Sequence, residues 1–486
     1  MIKNFYFFHY LLNHPKMKKR ETIKMSELPE LMDCYEDIMP IGKTFDEYLL
    51  DEQSNETITT CTQDLTSEIY TICAYSLHEP TYKDIWVEQI ENLLEEVSTN
   101  SNHKYNQYVH NMYLEYGEYF TQYLHDNISE CIDFCFPPRS NPNTFTDKKH
   151  DKESLKTILD KKVNYLNELN KNLPQQRSPE WYEVRKNTLS ASNLWKLLQT
   201  EASYQSLLRE KCNPIDTTKH SNINMYSTLH WGQKYEPVSQ LYYEHVYSTE
   251  IVEYGCIIHE NYECIGASPD GLNCKRDNPR YGRLLEIKNI INREITGIPK
   301  KEYWIQMQMQ MECCNIDECD FLECRFKEYP DEATFLQETK SDDLEGNLNI
   351  TKDNQYKGVI MCFMDKEQHP HYEYMPFNVV SKTKCYEWQD KKMTEYEQKN
   401  MHWSFNSYWY LQEVSCILVE RNQQWFYAVL PNILDFWNNV LLKRKELKES
   451  GSIFMEKPER NKKRKICNVT ACKYTDTVKK IIHIDI

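Results

Sequence analysis

Two short stretches decide how this chain reads: ASPDGL at Ala267–Leu272 and LLEIKNI at Leu284–Ile290. Taken alone, Ser268–Gly271 is an ordinary turn, in which Pro269 presets φ and Asp270 and Gly271 close the bend. The second stretch is an apolar strand interrupted by charge. Glu286 and Lys288 are two apart, so they share one face while Ile287 points to the other. A carboxylate and an amine on a buried face are costly unless they pair with each other or bind something. On the strand alone both readings stand. If Tyr262–Ser268 (YECIGAS) pairs beside the strand, Asp270 arrives next to Glu286 and Lys288. Two carboxylates that close cannot both stay ionised cheaply without a cation. Mg²⁺ takes one or two carboxylates together with waters and phosphate oxygens, and the Ile287 backbone carbonyl would lie nearby. Lys288 could orient or deprotonate a water, or stabilise charge on phosphorus. This is equipment for metal-assisted phosphodiester hydrolysis.

The rest of the chain sets bounds on that reading. Its 486 residues predict about three domains. With 40% hydrophobic and 13% aromatic residues, it can bury at least one large core. No apolar run approaches the roughly 18 residues of a membrane span. FYFFHYLL (Phe5–Leu12) is too short for one and lacks a small-residue cleavage site, so secretion is not expected, and Met17 or Met25 could be the start. The net charge of −16 argues against coating nucleic acid over the whole surface, but not against a local basic groove. The 18 cysteines lack paired zinc-site spacing and read as reduced, buried thiols. Only 11 glycines occur, and six of them fall between Gly232 and Gly297, which places the tight turns there.

Along the chain, residues 1–135 read as a helical region and 136–153 as a Pro/Asn-rich linker. An α/β domain spans 154–450, with an acidic, polar insertion at 338–355 expected to be disordered. Residues 451–486 form a tail with the basic run KPERNKKRK. Within the domain, Pro237 reads as the first turn of a helix, which puts Glu236 at its start. Strands are expected at Ile251–His259, Tyr262–Ser268 and Arg283–Ile290, followed by a helix over Pro299–Cys314. Further strands are expected at Asp320–Phe326, Gly358–Met364, His371–Phe377 and Ser415–Glu420, before a last amphipathic helix.

These residues resemble a known family. Asp270, Glu286 and Lys288 match the PD-(D/E)XK nuclease signature, and WYEVRKNTLSAS, HWGQKYEP, ASPDGL, LEIK and YWIQMQMQM are similar, in order, to the blocks of the lambda-exonuclease-like, YqaJ-type viral recombinases. The resemblance covers about Arg177–Phe326. It implies a central mixed sheet flanked by helices, and a Mg²⁺-dependent deoxyribonuclease (Mn²⁺ substituting) that trims duplex DNA ends 5′ to 3′ in recombination or replication. Asp270, Glu286 and the Ile287 carbonyl would hold the metal. Lys288 would be the catalytic lysine, with Glu236 a helix carboxylate beside the metal. Gln306 would sit over the site, on the helix face it shares with Tyr303 and Gln310. Arg185, helped by Ser190 and Ser192, would receive the 5′-terminal phosphate. A basic channel of Arg177, Arg185, Lys186 and Lys196 is expected for the DNA. Without the family, Arg185 would be read as pairing with Glu180 or Glu183. The family has Cys-Pro after the lysine, where this chain has Asn289 and Ile290. A large DNA virus is suggested as the source, with action in the host cytoplasm or nucleus. A single-strand annealing protein and further copies of the chain are the expected partners. An endonuclease or RNase on the same core, or a non-catalytic DNA binder, are the alternatives.

Overall fold

The computed structural model describes residues 45–79, 82–99, 104–135, 152–174, 178–214, 224–225, 227–340 and 345–450. Residues 1–44, the linker residues 136–151, Arg177 and the tail after residue 450 therefore lie outside the described residues.

Two compact units are present. The first is helical: α1 (Phe45–Leu50), α2 (Glu52–Cys73), α3 (Tyr82–Thr99), α4 (Lys104–Tyr116) and α5 (Glu118–Cys135). Ile58, Leu65, Met112, Phe120 and Leu124 are buried in it. The aromatic spacing across Tyr113, Tyr116, Phe120 and Leu124 suggests one helix. Gly117, at φ +54°, instead breaks it between α4 and α5.

The second unit is α/β. It opens with α6 (Lys152–Asn170), α7 (Pro179–Lys186), β1 (Leu189–Ser190), the single turn α8 (Ala191–Leu194), α9 (Glu201–Cys212) and α10 (Thr228–Tyr247). Then come β2 (Ile251–Val252), β3 (Ile257–His259), β4 (Tyr262–Ala267), β5 (Gly271–Asn273), β6 (Leu284–Asn289), α11 (Lys301–Cys314) and β7 (Glu318–Glu328). It closes with α12 (Glu332–Gln337), β8 (Lys357–Met364), β9 (Pro370–Tyr374), α13 (Lys382–Gln398), β10 (His402–Glu420) and α14 (Gln423–Ser450). The main sheet has the order β2-β5-β6-β7-β10-β8-β9, mixed because β6 and β7 run parallel while their other neighbours are antiparallel. A small sheet has the order β1-β4-β3.

β6 is covered on both faces, which explains its nearly continuous apolar run. On one face Leu285 and Ile287 pack with Leu322, Tyr235, Val238 and Tyr243, the last three from α10. On the other face α11 lies over Glu286 and Lys288, with Tyr303 5.9 Å from Phe321 ring to ring. Glu286 itself is fully buried.

Four expectations are corrected. β6 does not pair with β4. Its neighbour is β5, in the register Gly271↔Leu285 and Leu272↔Leu284, while β4 pairs with β1 and β3. The α10 helix does not start at Pro237: Ser227 caps it by accepting from the His230 N–H at 3.1 Å, and Pro237 lies inside it. A mid-helix proline loses a hydrogen bond, but Tyr235, Val238, Tyr242 and Tyr243 bury the face that holds the helix together. Residues 345–355 of the expected disordered insertion are packed: Leu348 is buried beside Phe335 and Val359, and Asn349 Nδ2 donates to the Phe377 carbonyl at 2.9 Å. Residues 341–344 lie outside the described set. Last, the short strand expected near Ser415 is the end of the 19-residue β10, which pairs with β7 and then with β8.

Candidate active site

Asp270 sits at the turn between β4 and β5, and its side chain reaches across to β6. Its Oδ2 accepts from the Ile287 N–H at 2.7 Å. That N–H is free to be used because β5 pairs with β6 only as far as Leu285. In an extended strand a residue's N–H and C=O leave by the same edge, so the Ile287 carbonyl opens on the Asp270 side as well. Glu286 is engaged by both of its oxygens. Oε1 is ion-paired with Lys288, and Oε2 accepts from Gln310 Nε2 at 2.7 Å. Gln310 Nε2 also reaches the Ser268 carbonyl at 3.3 Å, so α11 ties the turn before Asp270 to the middle of β6.

The electrostatics are those of crowded carboxylates around one amine. Burial pushes the Asp270 carboxyl well above the usual range; the Glu286 and Glu236 charges add to this, and Lys288 and the Ile287 N–H oppose it. For Lys288, burial works against the charge, but Glu286 and Asp270 outweigh it and raise the amine's pKa. The Lys288 Nζ also stands 5.1 Å from the Tyr303 ring centroid.

Glu236 comes from the middle of α10. Asn289, the residue after Lys288, fixes that helix on both sides of it. Its Nδ2 donates to the Gly232 carbonyl at 3.1 Å, and its Oδ1 accepts from Ser239 Oγ at 2.7 Å. The departure from Cys-Pro at this point therefore supplies an amide that docks α10 against β6.

The glutamine hydrogen-bonded to Glu286 is Gln310, fully buried, whereas Gln306, one turn earlier, is half-buried. The shared face of Tyr303, Gln306 and Gln310 was visible in the sequence. That Gln310, the deeper of the two, is the one bonded to Glu286 was not.

The residues fit a hydrated dication. Asp270 and Glu286 offer carboxylates, and the Ile287 carbonyl opens onto the same edge. Gln310 Oε1 and Ser268 Oγ are buried without a hydrogen-bond partner, which suits the shell of waters that Mg²⁺ keeps. A cage of three or more acidic, His or Cys side chains is absent among the described residues; an ion that retains waters and takes substrate oxygens does not need one.

Arg185, Ser190 and Ser192 are brought together. Arg185 Nη2 donates to Ser192 Oγ at 3.2 Å and to Ser190 Oγ at 3.4 Å, and its guanidinium lies 4.5 Å from the Trp181 ring centroid. Burial lowers its pKa, and no carboxylate pairs with it among the described residues. The helix partners available to it do other things; Glu183 accepts from Asn187 at 3.0 Å. β1 pairs in parallel with β4, Ser190 opposite Gly266, so this cluster adjoins the strand that leads to Asp270. Of the expected basic channel, Lys196 is paired with Glu210 at 3.1 Å. Lys186 instead lines a cavity of about 310 Å³ with Arg444 and Lys448.

The structure thus sets a turn-borne aspartate, a strand Glu-x-Lys and a buried helix glutamine together on the mixed sheet of an α/β unit. Comparison with known proteins adds a likeness: residues 180–317 match the model of the YqaJ-like viral recombinase domain. An uncharacterized protein of Acanthamoeba polyphaga mimivirus is 28% identical over 309 residues, 56% of this chain and 54% of its own length, so the match spans about half of that relative. Among solved structures, an alkaline exonuclease from Laribacter hongkongensis is similar at 18% identity and a TM-score of 0.33, over 56% of this chain and 98% of that one. The same protein in complex with dAMP gives a TM-score of 0.32. No described helix is long and apolar enough to cross a membrane.

Proposed function

We propose that this protein is a Mg²⁺-dependent deoxyribonuclease, with Mn²⁺ as a substitute, that degrades duplex DNA from its ends in the 5′-to-3′ direction. The observation that carries the reading is the crowding of Asp270 and Glu286 about the single amine of Lys288, with the Glu236 charge adding to the load on Asp270 and unpartnered buried acceptors beside them. Such an arrangement is unfavourable in itself and is relieved by a dication. Asp270, Glu286 and the Ile287 carbonyl would hold the ion, which when bound polarises a phosphoryl oxygen and acidifies water. Gln310 keeps Glu286 in place, and Asn289 keeps Glu236 at the rim. Lys288 presents a positive charge where negative charge develops on the phosphate. Arg185, lacking a carboxylate partner among the described residues and lying over the Trp181 ring, is suited to a terminal phosphate, with Ser190 and Ser192 as further donors.

The role fits recombination or replication of a large DNA virus, in the host cytoplasm or nucleus. The helical first unit is the part available to an annealing protein or to another copy of the chain. The test is digestion of a 5′-phosphorylated linear duplex beside a closed circle of the same sequence, with Mg²⁺ and with EDTA. Loss of the linear DNA alone, with Mg²⁺ only, is expected. Cutting of the circle would favour the endonuclease, and binding without cutting would leave a DNA-binding protein.

A further inference from the structure

The helix that carries Arg185 is a poor platform by itself. α7 has eight residues, and none of them is fully buried. Helices this short are marginal without outside support, and their last carbonyls need partners. Here the partners are two cations from other helices. Lys211, in the last turn of α9, is 3% exposed, and its Nζ donates to the Arg185 carbonyl at 2.8 Å. Arg444, on α14, donates through Nη2 to the Lys186 carbonyl at 2.8 Å and through Nη1 to Asn187 Oδ1 at 2.9 Å. The same guanidinium donates to the Lys211 carbonyl from Nε at 3.0 Å and from Nη2 at 2.7 Å. One guanidinium thus joins the C-terminal ends of α7 and α9, and the lysine it holds supports the backbone of Arg185.

This is more than a generic cation at a helix end. α14 reaches the place along one stripe: Phe436 lies 5.2 Å from Tyr204 ring to ring, and Asn439 Nδ2 donates to Tyr204 Oη at 2.9 Å. Burial lowers the pKa of both cations, Lys211 to about 8. Neither points at the Asp270–Glu286 cluster. Their hydrogen bonds go to the C-terminal ends of α7 and α9, with Lys211 on the Arg185 carbonyl itself.

We propose that Arg444 and Lys211 are positioning residues for the phosphate-recognition arginine, so that the C-terminal helix sets the preference for phosphorylated DNA ends. The proposal rests on the reading of Arg185 as the phosphate-binding residue. A flexible α7 would leave the guanidinium free to swing off Trp181 and the two serines, losing the fixed fork that distinguishes a phosphate from a hydroxyl.

The experiment measures kcat/KM with Mg²⁺ on linear duplexes bearing a 5′-phosphate or a 5′-hydroxyl, for the full-length chain. Wild type, Arg185→Ala, Arg444→Gln, Arg444→Lys, Lys211→Met and Arg185→Ala/Arg444→Gln are compared, with a thermal melt of each. Arg444→Gln should lower the phosphate-to-hydroxyl ratio about tenfold, the loss of roughly one charge-assisted hydrogen bond, while the rate on hydroxyl ends stays within about twofold. Lys211→Met should shift the ratio in the same direction. Arg444→Lys should restore it only in part, because one ammonium could take the place of Nη2 between the two carbonyls but not the bond from Nη1 to Asn187 Oδ1. The double variant should match Arg185→Ala. Equal losses on both ends, or an unchanged ratio where Arg185→Ala collapses it, would overturn the positioning role. If wild type and Arg185→Ala treat the two ends alike, the arginine's own assignment falls, and this one with it.

Discussion

At the scale of single residues, Asp270 is a carboxylate held where its charge is least welcome. Burial, Glu286 and Glu236 all raise its pKa. A carboxyl whose pKa is higher in the folded than in the unfolded chain contributes stability that is full below the unfolded value and is lost as pH rises through the folded one. The metal-free protein should therefore lose stability as pH rises through the titration of Asp270. Asp270→Asn should remove that loss, melting higher than wild type near neutral pH while losing Mg²⁺-dependent cleavage. Thermal melts in EDTA from pH 4 upward check the sign; a variant that melts lower at every pH would contradict it. Mg²⁺ affinity in wild type should tighten over the same rise, since the ion competes with the proton. Gln310→Ala should cost about 10- to 100-fold in metal affinity or rate, as for other groups that orient a ligand, and Gln306→Ala much less. Parallel metal titrations of the two variants decide between them. The sequence made Asp270, Glu286 and Lys288 legible because turn chemistry and a period of two are local. Choosing Gln310 over Gln306 needs the depth of α11 over β6, and seeing Asn289 as a brace for α10 needs two elements packed together. Neither is local information.

At the scale of elements, the site depends on β5 being short and close-packed. A Cβ at Gly271 would meet Ile251 Cγ2 at 2.1 Å. Gly271→Ala should accordingly cost about 1–3 kcal/mol, the usual range for overpacking, and should lower activity by moving the adjacent Asp270. Denaturant unfolding with activity measured on the folded fraction separates the two effects; an unchanged midpoint would contradict the packing argument. The strand β6 and the helix α11 were readable from their apolar runs and the proline before α11. The pairing of β5 with β6 was not, because three residues carry too little pattern to compete with the longer β4. The internal position of Pro237 was hidden for a related reason. Local rules favour proline at a helix start, and only the aromatic face of α10 packed on the sheet outweighs them.

At the scale of the whole molecule, each unit has a core of its own. A fragment holding residues 138–464 should fold and retain Mg²⁺-dependent cleavage within a few-fold of the full chain, with the helical unit affecting partner binding rather than chemistry. Comparison of the fragment and the full chain on one substrate checks this, and an inactive but folded fragment would contradict it. The division into a helical part and an α/β part was legible from the change in periodicity after the linker. The packing of 345–355 was not, since its composition is that of a solvated loop and its anchor in the core cluster is Leu348. The net charge of −16 likewise gave no sign that Arg185 would stand without a carboxylate partner among the described residues; the resemblance, not the charge balance, pointed to it.

The central claim is that the Asp270, Glu286 and Lys288 cluster hydrolyses DNA. The most direct measurement is the rate of nucleotide release from a 5′-phosphorylated linear duplex by wild type and by Lys288→Ala, in Mg²⁺, with metal binding to each followed separately. The account predicts a loss of at least about 100-fold in the variant, the scale of removing one charge-stabilising group, with metal still bound and the fold intact. Equal rates for the two proteins, or release that persists in EDTA, would contradict it.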